Sequence, residues 1–117
     1  MQTIELGPER IKIKAPASPS TALSIVRMLE NSPEFAGGAA LAVCAPALAR
    51  KAGIKINYGD LYETGREMFD FVVAQLMRGG MSGTEAMEGA ARAGGEATVA
   101  ILGQLPTESE VEEVKKD

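Results

Sequence analysis

The chain has 117 residues, 45% of them hydrophobic and 24% charged, which is the balance of one folded domain. It contains no histidine and one cysteine, which excludes Ser-His-Asp and Cys-His catalysis, histidine-containing zinc sites and an intrachain disulfide. Residues 1–59 carry a charge of +3 and residues 60–117 a charge of −7, and the acidic half argues against general nucleic-acid binding.

The N-terminal stretch TIELGPERIKIK alternates apolar and polar residues on either side of Gly7-Pro8. This period of two predicts a β-hairpin over residues 2–14. Because an isolated hairpin is marginal in water, it must pack on the helices of its own domain or pair with a strand of another chain, and the first alternative is favoured. Ile11 and Ile13 are candidate partner contacts on its apolar side.

A linker and a short helix follow, and the segment NSPEF ends that helix. Ser32 and Pro33 predict the start of a second helix over about residues 33–51. This helix is apolar nearly all round, which is typical of a segment buried in its domain or at a subunit interface. Pro46 must kink or split it, because proline lacks the N–H and clashes with the preceding turn.

The next predicted helix, DLYETGREMFDFVVAQLMR, has the clearest helical periodicity of the chain. We expect Asn57 or Gly59 to open it, after a segment IKIN that could be a strand-like connector to the hairpin. Phe71 falls outside the apolar stripe of this helix, so it is either a partner contact or a lone surface residue. The stripe comprises Leu61, Gly65, Met68, Phe69, Val72, Val73 and Leu76.

The glycine-rich stretch 77–103 predicts a helix rather than a phosphate-binding loop, because the segment before it is helical and the loop motifs are absent. Ser82 and Glu85 form a capping box that starts a helix over about residues 84–102. Its glycines indicate either close backbone approach to a neighbour or a weakness that lets the helix move. The small-residue face comprises Ala86, Ala90, Ala93, Gly94, Ala97 and Ile101. All of these except Ala93 are candidate partner contacts.

No catalytic, cofactor-binding or metal-binding residue is predicted. Three carboxylates of one helix face, Glu63, Glu67 and Asp70, surround Arg66 and favour a solvated charged surface over a cation site. Cys44 stands in the apolar setting AVCAPA, which favours a core residue. The longest weakly polar run, residues 35–49, is too short to cross a bilayer.

The second half of the chain resembles small bacteriophage proteins of the tail assembly chaperone type, which are encoded beside the tail genes. The resembling pieces are DLYETGREMFDFV, the small-residue helix after RGG, and LPTESEVEEV. The resemblance implies a mostly helical, non-enzymatic and often oligomeric adaptor. Such an adaptor holds the tape-measure protein or tail-tube subunits soluble until assembly. The resemblance assigns no binding residues.

Together these patterns predict an α+β fold that is predominantly helical, with an N-terminal β-hairpin and four to five α-helices. One domain is expected over residues 1–106, followed by an acidic tail or short helix over 107–117. The expected function is a cytoplasmic protein-binding adaptor for phage tail proteins that needs no cofactor and can form homo-oligomers. A virion structural subunit is one alternative. Another is a small regulator that binds a host protein, or binds DNA through Arg10, Lys12 and Lys14.

Overall fold

The computed structural model describes residues 2–15 and 18–103. In these residues a two-stranded hairpin precedes five helices, so the fold is α+β and predominantly helical, as predicted. The predicted acidic segment 107–117 lies outside the described residues. The elements are β1 (Gln2–Leu6), β2 (Glu9–Ile13), α1 (Pro19–Leu29), α2 (Pro33–Cys44), α3 (Pro46–Lys51), α4 (Leu61–Arg78) and α5 (Gly83–Leu102).

The hairpin is antiparallel and packs on the helices of its own chain. Leu6 is paired with Glu9 across a two-residue loop, and Gly7 takes the left-handed conformation that such a loop requires, with φ of 62°. Ile4 and Ile13 are almost fully buried together with Leu6, so one side of the hairpin belongs to the core. This is the favoured of the two arrangements that the sequence left open.

Helix α2 is the centre of the domain and packs against both α4 and α5. Every residue from Ala36 to Cys44 is buried, so the apolar surface of α2 is covered inside a single chain. The helix begins with Ser32 as N-cap and Pro33 in its first turn, as predicted. It ends at Cys44, and Pro46 starts the separate helix α3, because a proline N atom cannot continue the hydrogen-bond ladder.

Glycines allow the backbones of these helices to touch. Gly38 of α2 faces Gly65 of α4, and Gly37 of α2 faces Gly94 of α5. A Cβ atom added to Gly94 would lie 2.8 Å from the Gly37 Cα atom, which is closer than real Cβ atoms approach. Gly94 therefore serves close backbone approach, the first of the two roles considered for the α5 glycines. The neighbouring Gly95 is exposed and has open space around it.

The start of α4 differs from the sequence prediction. Its N-cap is Asp60, whose Oδ1 accepts a hydrogen bond of 3.2 Å from the Glu63 backbone N–H. Asn57 instead organises the turn before the helix, because its Oδ1 accepts from the Gly59 N–H at 3.0 Å and its own N–H donates to Thr64 Oγ1 at 3.1 Å. Residues 54–57 form an irregular connection and not a strand.

The apolar stripe of α4 and the start of α5 agree with prediction in most details. Val73 is only half-buried, whereas the other stripe residues are buried and Thr64 joins them. Ser82 and Glu85 form the predicted capping box at the start of α5, with both reciprocal hydrogen bonds at 3.2 Å. These side-chain caps fix where α4 and α5 begin.

Replacing Gly94 with alanine should destabilise the protein by about 1–3 kcal/mol, because the new methyl group meets the α2 backbone, which cannot give way as a side chain can. For a domain of this size that loss lowers the melting temperature by roughly 4–8 °C per kcal/mol. Thermal unfolding followed by circular dichroism measures it.

Gly95→Ala is the matched control, since it adds the same methyl group one residue along the same helix, where nothing lies within 4 Å. It should raise stability by up to about 1 kcal/mol through helix propensity. Equal effects of the two substitutions would contradict close packing at Gly94.

Candidate functional site at the open edge of the hairpin

The small-residue face of α5 packs against α2 of the same chain. A role of this face in partner binding would therefore require α5 to move away from α2. The alanines and the isoleucine of this face are each 3% exposed or less, and Gly94 lies against the backbone of Gly37 in α2. The buried members are Ala86, Ala90, Ala93, Gly94, Ala97 and Ile101.

The other predicted contact residues lie at two places. Phe71 of α4 is half-buried and packs against the core, so it is not an isolated surface phenylalanine. In the hairpin, Ile13 is buried, whereas Ile11 is half-buried. Ile11 lines a groove between β2 and α3, and Phe71 is not among the residues of that groove.

The outer edge of β1 is covered by α5. The Arg92 guanidinium of α5 donates a hydrogen bond of 3.2 Å to the Glu5 carbonyl oxygen and also lies 3.6 Å from Glu96. The Glu5 carbonyl therefore points away from β2. In an antiparallel ladder, both residues of a pair turn their backbone groups either towards each other or outward, so Arg10, the partner of Glu5, also turns them outward. The direction alternates from one pair to the next, so Lys12, two residues later, turns its groups outward as well.

Within the part of the chain that the structure describes, the outer edge of β2 is open over most of its length. Lys14 closes one end, since its N–H donates to the Cys44 carbonyl oxygen at 2.9 Å, which also anchors β2 to the end of α2. Among the described residues, no backbone hydrogen bond reaches the outward N–H and C=O groups of Arg10 and Lys12. A strand edge of this kind can accept a further strand.

A groove of about 390 Å³ runs beside this open edge. Its apolar floor comes from Ile11 of β2 and from Ala45, Ala47 and Leu48 at the start of α3. Its rim is charged and comprises Glu9, Arg10, Lys12 and Lys51. We call this groove together with the outward backbone of β2 the β2-edge site.

The β2-edge site has a positive rim. Glu9 lies 3.8 Å from Lys51 Nζ across the groove, so its charge is offset, and Arg10 lies 3.6 Å from Glu5 on the outer face of the hairpin. Among the described residues Lys12 has no carboxylate within ion-pair distance and is exposed. The rim therefore presents net positive charge at the open edge.

Other chemically active side chains of the described residues have structural surroundings. Burial raises the pKa of the Cys44 thiol to about 11, so this cysteine is protonated at neutral pH, and its Sγ lies 3.9 Å from the Ala97 carbonyl oxygen. A side-chain hydrogen bond from Arg66 lowers the pKa of the exposed Glu63 carboxyl. Within residues 2–15 and 18–103, no three Cys, Asp or Glu side chains are grouped to hold a metal ion. No helix of that part is long and apolar enough to cross a membrane.

Sequence reasoning found part of the β2-edge site. The alternation RIKIK placed Arg10 and Lys12 on one side of a strand and Ile11 on the other, as the structure has them. The contributions of Ala47, Leu48 and Lys51 were missed, because they depend on where the Lys14–Cys44 hydrogen bond sets α3 beside the strand. The split at Pro46 was the only sequence signal that α3 is a separate element.

Comparisons with known proteins add no relative. The chain matches no protein family, no curated protein and no solved structure.

The unfolding free energy should fall as pH rises from about 9 to about 11, because the unfolded chain then loses the Cys44 proton while the folded protein retains it. Below pH 9 the thiol is protonated in both states and contributes no pH dependence. Urea unfolding across this range, compared with Cys44→Ala, isolates the cysteine from the lysines and tyrosines. The same slope in both proteins would refute the assignment.

Proposed function

We propose that this protein is a non-enzymatic adaptor that binds another protein chain through the β2-edge site. The observation that carries the proposal is a strand edge beside an apolar groove, at which the outward backbone groups of Arg10 and Lys12 have no hydrogen-bond partner in residues 2–15 and 18–103. Main-chain hydrogen bonds at such an edge give affinity to an incoming strand, and the neighbouring groove accepts its side chains. Both parts are held by the folded domain, so binding requires little reordering of the adaptor.

We further propose that the bound chain is a phage tail protein before assembly, such as a tape-measure or tail-tube subunit. This part of the proposal is supported by the resemblance of residues 59–117 to tail assembly chaperones. A subunit awaiting assembly has interface strands without their final partners, and these aggregate unless they are paired. An adaptor edge that occupies such a strand reversibly keeps the subunit soluble. The protein would then act in the host cytoplasm.

A virion structural subunit is the first alternative, and it would use the same edge to join a permanent assembly. The two differ in the final state, because an assembly chaperone leaves the particle and a structural subunit stays. Homo-oligomers also remain a proposal, and the buried surface of α2 does not support them. DNA binding through Arg10, Lys12 and Lys14 is disfavoured, because Arg10 is paired with Glu5 and the chain as a whole carries a net charge of −4.

The adaptor function is tested by co-expression with tape-measure and tail-tube proteins of the same genome, followed by centrifugation and size-exclusion chromatography. The wild-type chain should raise the soluble fraction of its client and elute with it. Lys12→Pro should abolish both effects, since proline removes the outward N–H and leaves the β1–β2 hydrogen bonds in place.

Lys12→Ala is the comparison, because it removes the same side chain and keeps the N–H. It should lose only the side-chain contribution to binding, and so keep clearly more activity than Lys12→Pro. Circular dichroism checks that both variants are folded. Clients that stay insoluble with the wild-type chain would contradict the adaptor function, and the presence of the chain in purified particles would favour a structural subunit.

A further inference from the structure

We infer that the β2-edge site recognises an extended segment in which acidic and apolar side chains alternate. This inference rests on the proposed function and adds the chemistry of the partner. It follows from three properties of the site, which are the direction of its backbone groups, the composition of its two faces and the sign of its charges.

The backbone of β2 fixes the length and direction of pairing. Glu5 and Lys14 independently show the outward direction, since the Glu5 carbonyl meets Arg92 on one edge and the Lys14 N–H meets Cys44 on the other. Arg10 and Lys12 lie between the hairpin loop and this closed end, and each offers one N–H and one C=O. The site therefore pairs with a short strand segment, of about five residues.

The two faces of β2 specify different side chains in the added strand. Side chains on the inner face of that strand would lie beside Ile11 and over Ala45 and Leu48, where an apolar group is favoured. Side chains on the outer face would lie beside Arg10 and Lys12, where a carboxylate makes a favourable cross-strand pair and a cation an unfavourable one. Because successive strand residues point to opposite faces, the preferred sequence alternates acidic and apolar residues.

The same charges disfavour a second copy of the chain. Antiparallel pairing of two β2 strands would set Arg10 and Lys12 of one copy beside the same cations of the other. An acidic segment exists in the chain itself, where Glu108, Glu110 and Glu112 alternate with Ser109 and Val111. The occupant we infer belongs to a separate protein, so the experiment must distinguish it from this segment.

The probe is a labelled, acetylated and amidated peptide of about seven residues in which Glu and Val alternate, titrated with the full chain and followed by fluorescence anisotropy. It should bind, and binding should weaken as salt rises from about 50 to 500 mM. The matching Lys–Val peptide should bind at least about fivefold more weakly. Equal affinity of the two peptides would overturn the inference, as would the absence of binding.

Backbone pairing is tested by N-methylation of the peptide, once at its glutamates and once at its valines. In an antiparallel pair the residues opposite Arg10 and Lys12, which are the glutamates, turn their N–H groups towards β2, whereas in a parallel pair the valines do. One of the two methylated peptides should therefore lose binding and the other should keep it. Binding of both would overturn strand addition.

Charge variants of the full chain supply the matched controls. Lys12→Glu should weaken binding of the Glu–Val peptide at least about fivefold, since it places a negative charge beside the glutamates of the peptide where the wild-type chain has a positive one. Lys55→Glu makes the same change on an exposed residue that does not line the groove, and it should have little effect. Equal losses in the two variants would indicate attraction by net charge alone and would overturn the site.

The chain's own acidic segment is tested by a full-length variant in which Glu108, Glu110 and Glu112 are changed to Gln. If only this variant binds the peptide, the occupant is the chain itself and the inference falls. If clients lose solubility with Lys12→Pro but the Glu–Val peptide does not bind, the adaptor function stands and the inferred partner chemistry falls. If the peptide binds but no client is solubilised, the partner chemistry stands and the adaptor function falls.

Discussion

The fold depends on the contact of the α2 backbone with the backbones of α4 and α5. Gly38 meets Gly65 on one side of α2, and Gly37 meets Gly94 on the other, so two adjacent residues serve two different helices. At these points no side chain separates the helices. Packing at such short range increases the number of dispersion contacts along each pair, which compensates for the small side chains in between.

This contact explains the composition of the chain. Only 4% of the chain is aromatic and much of the buried core is alanine, so the helices must approach closely to fill the space between them. Each interior glycine costs about 1 kcal/mol of helix propensity relative to alanine, and that cost is offset only where the glycine lets two backbones meet. Gly94 meets that condition and Gly95 does not, although they are neighbours in sequence. Helix α2 is apolar all round because it has neighbours on several sides, which are α1, α4 and α5.

The sequence predicted features that depend on a few adjacent residues and missed those that depend on several helices at once. The Ser82–Glu85 box and the break at Pro46 are local chemistry, and both are confirmed. At the start of α4, Asn57, Gly59 and Asp60 can all cap a helix, and only the hydrogen bond to Glu63 decides between them. Phe71 was placed outside the stripe because a projection assumes one buried face, whereas α4 is packed by both α2 and α5. The pairing of Gly37 with Gly94 is a long-range choice among several small residues, and periodicity cannot specify it.

The two edges of the hairpin show how the same fold protects one strand and leaves the other available. On β1, Arg92 occupies the Glu5 carbonyl, so that edge cannot accept a strand without losing a hydrogen bond. On β2, the part of the chain that the structure describes offers no hydrogen-bond partner to the outward backbone groups of Arg10 and Lys12, and these two cations would repel a second copy of the same edge. A positive charge that prevents self-pairing does not oppose an acidic strand. The residues that would oppose self-pairing at this edge are therefore the same ones that would select its partner.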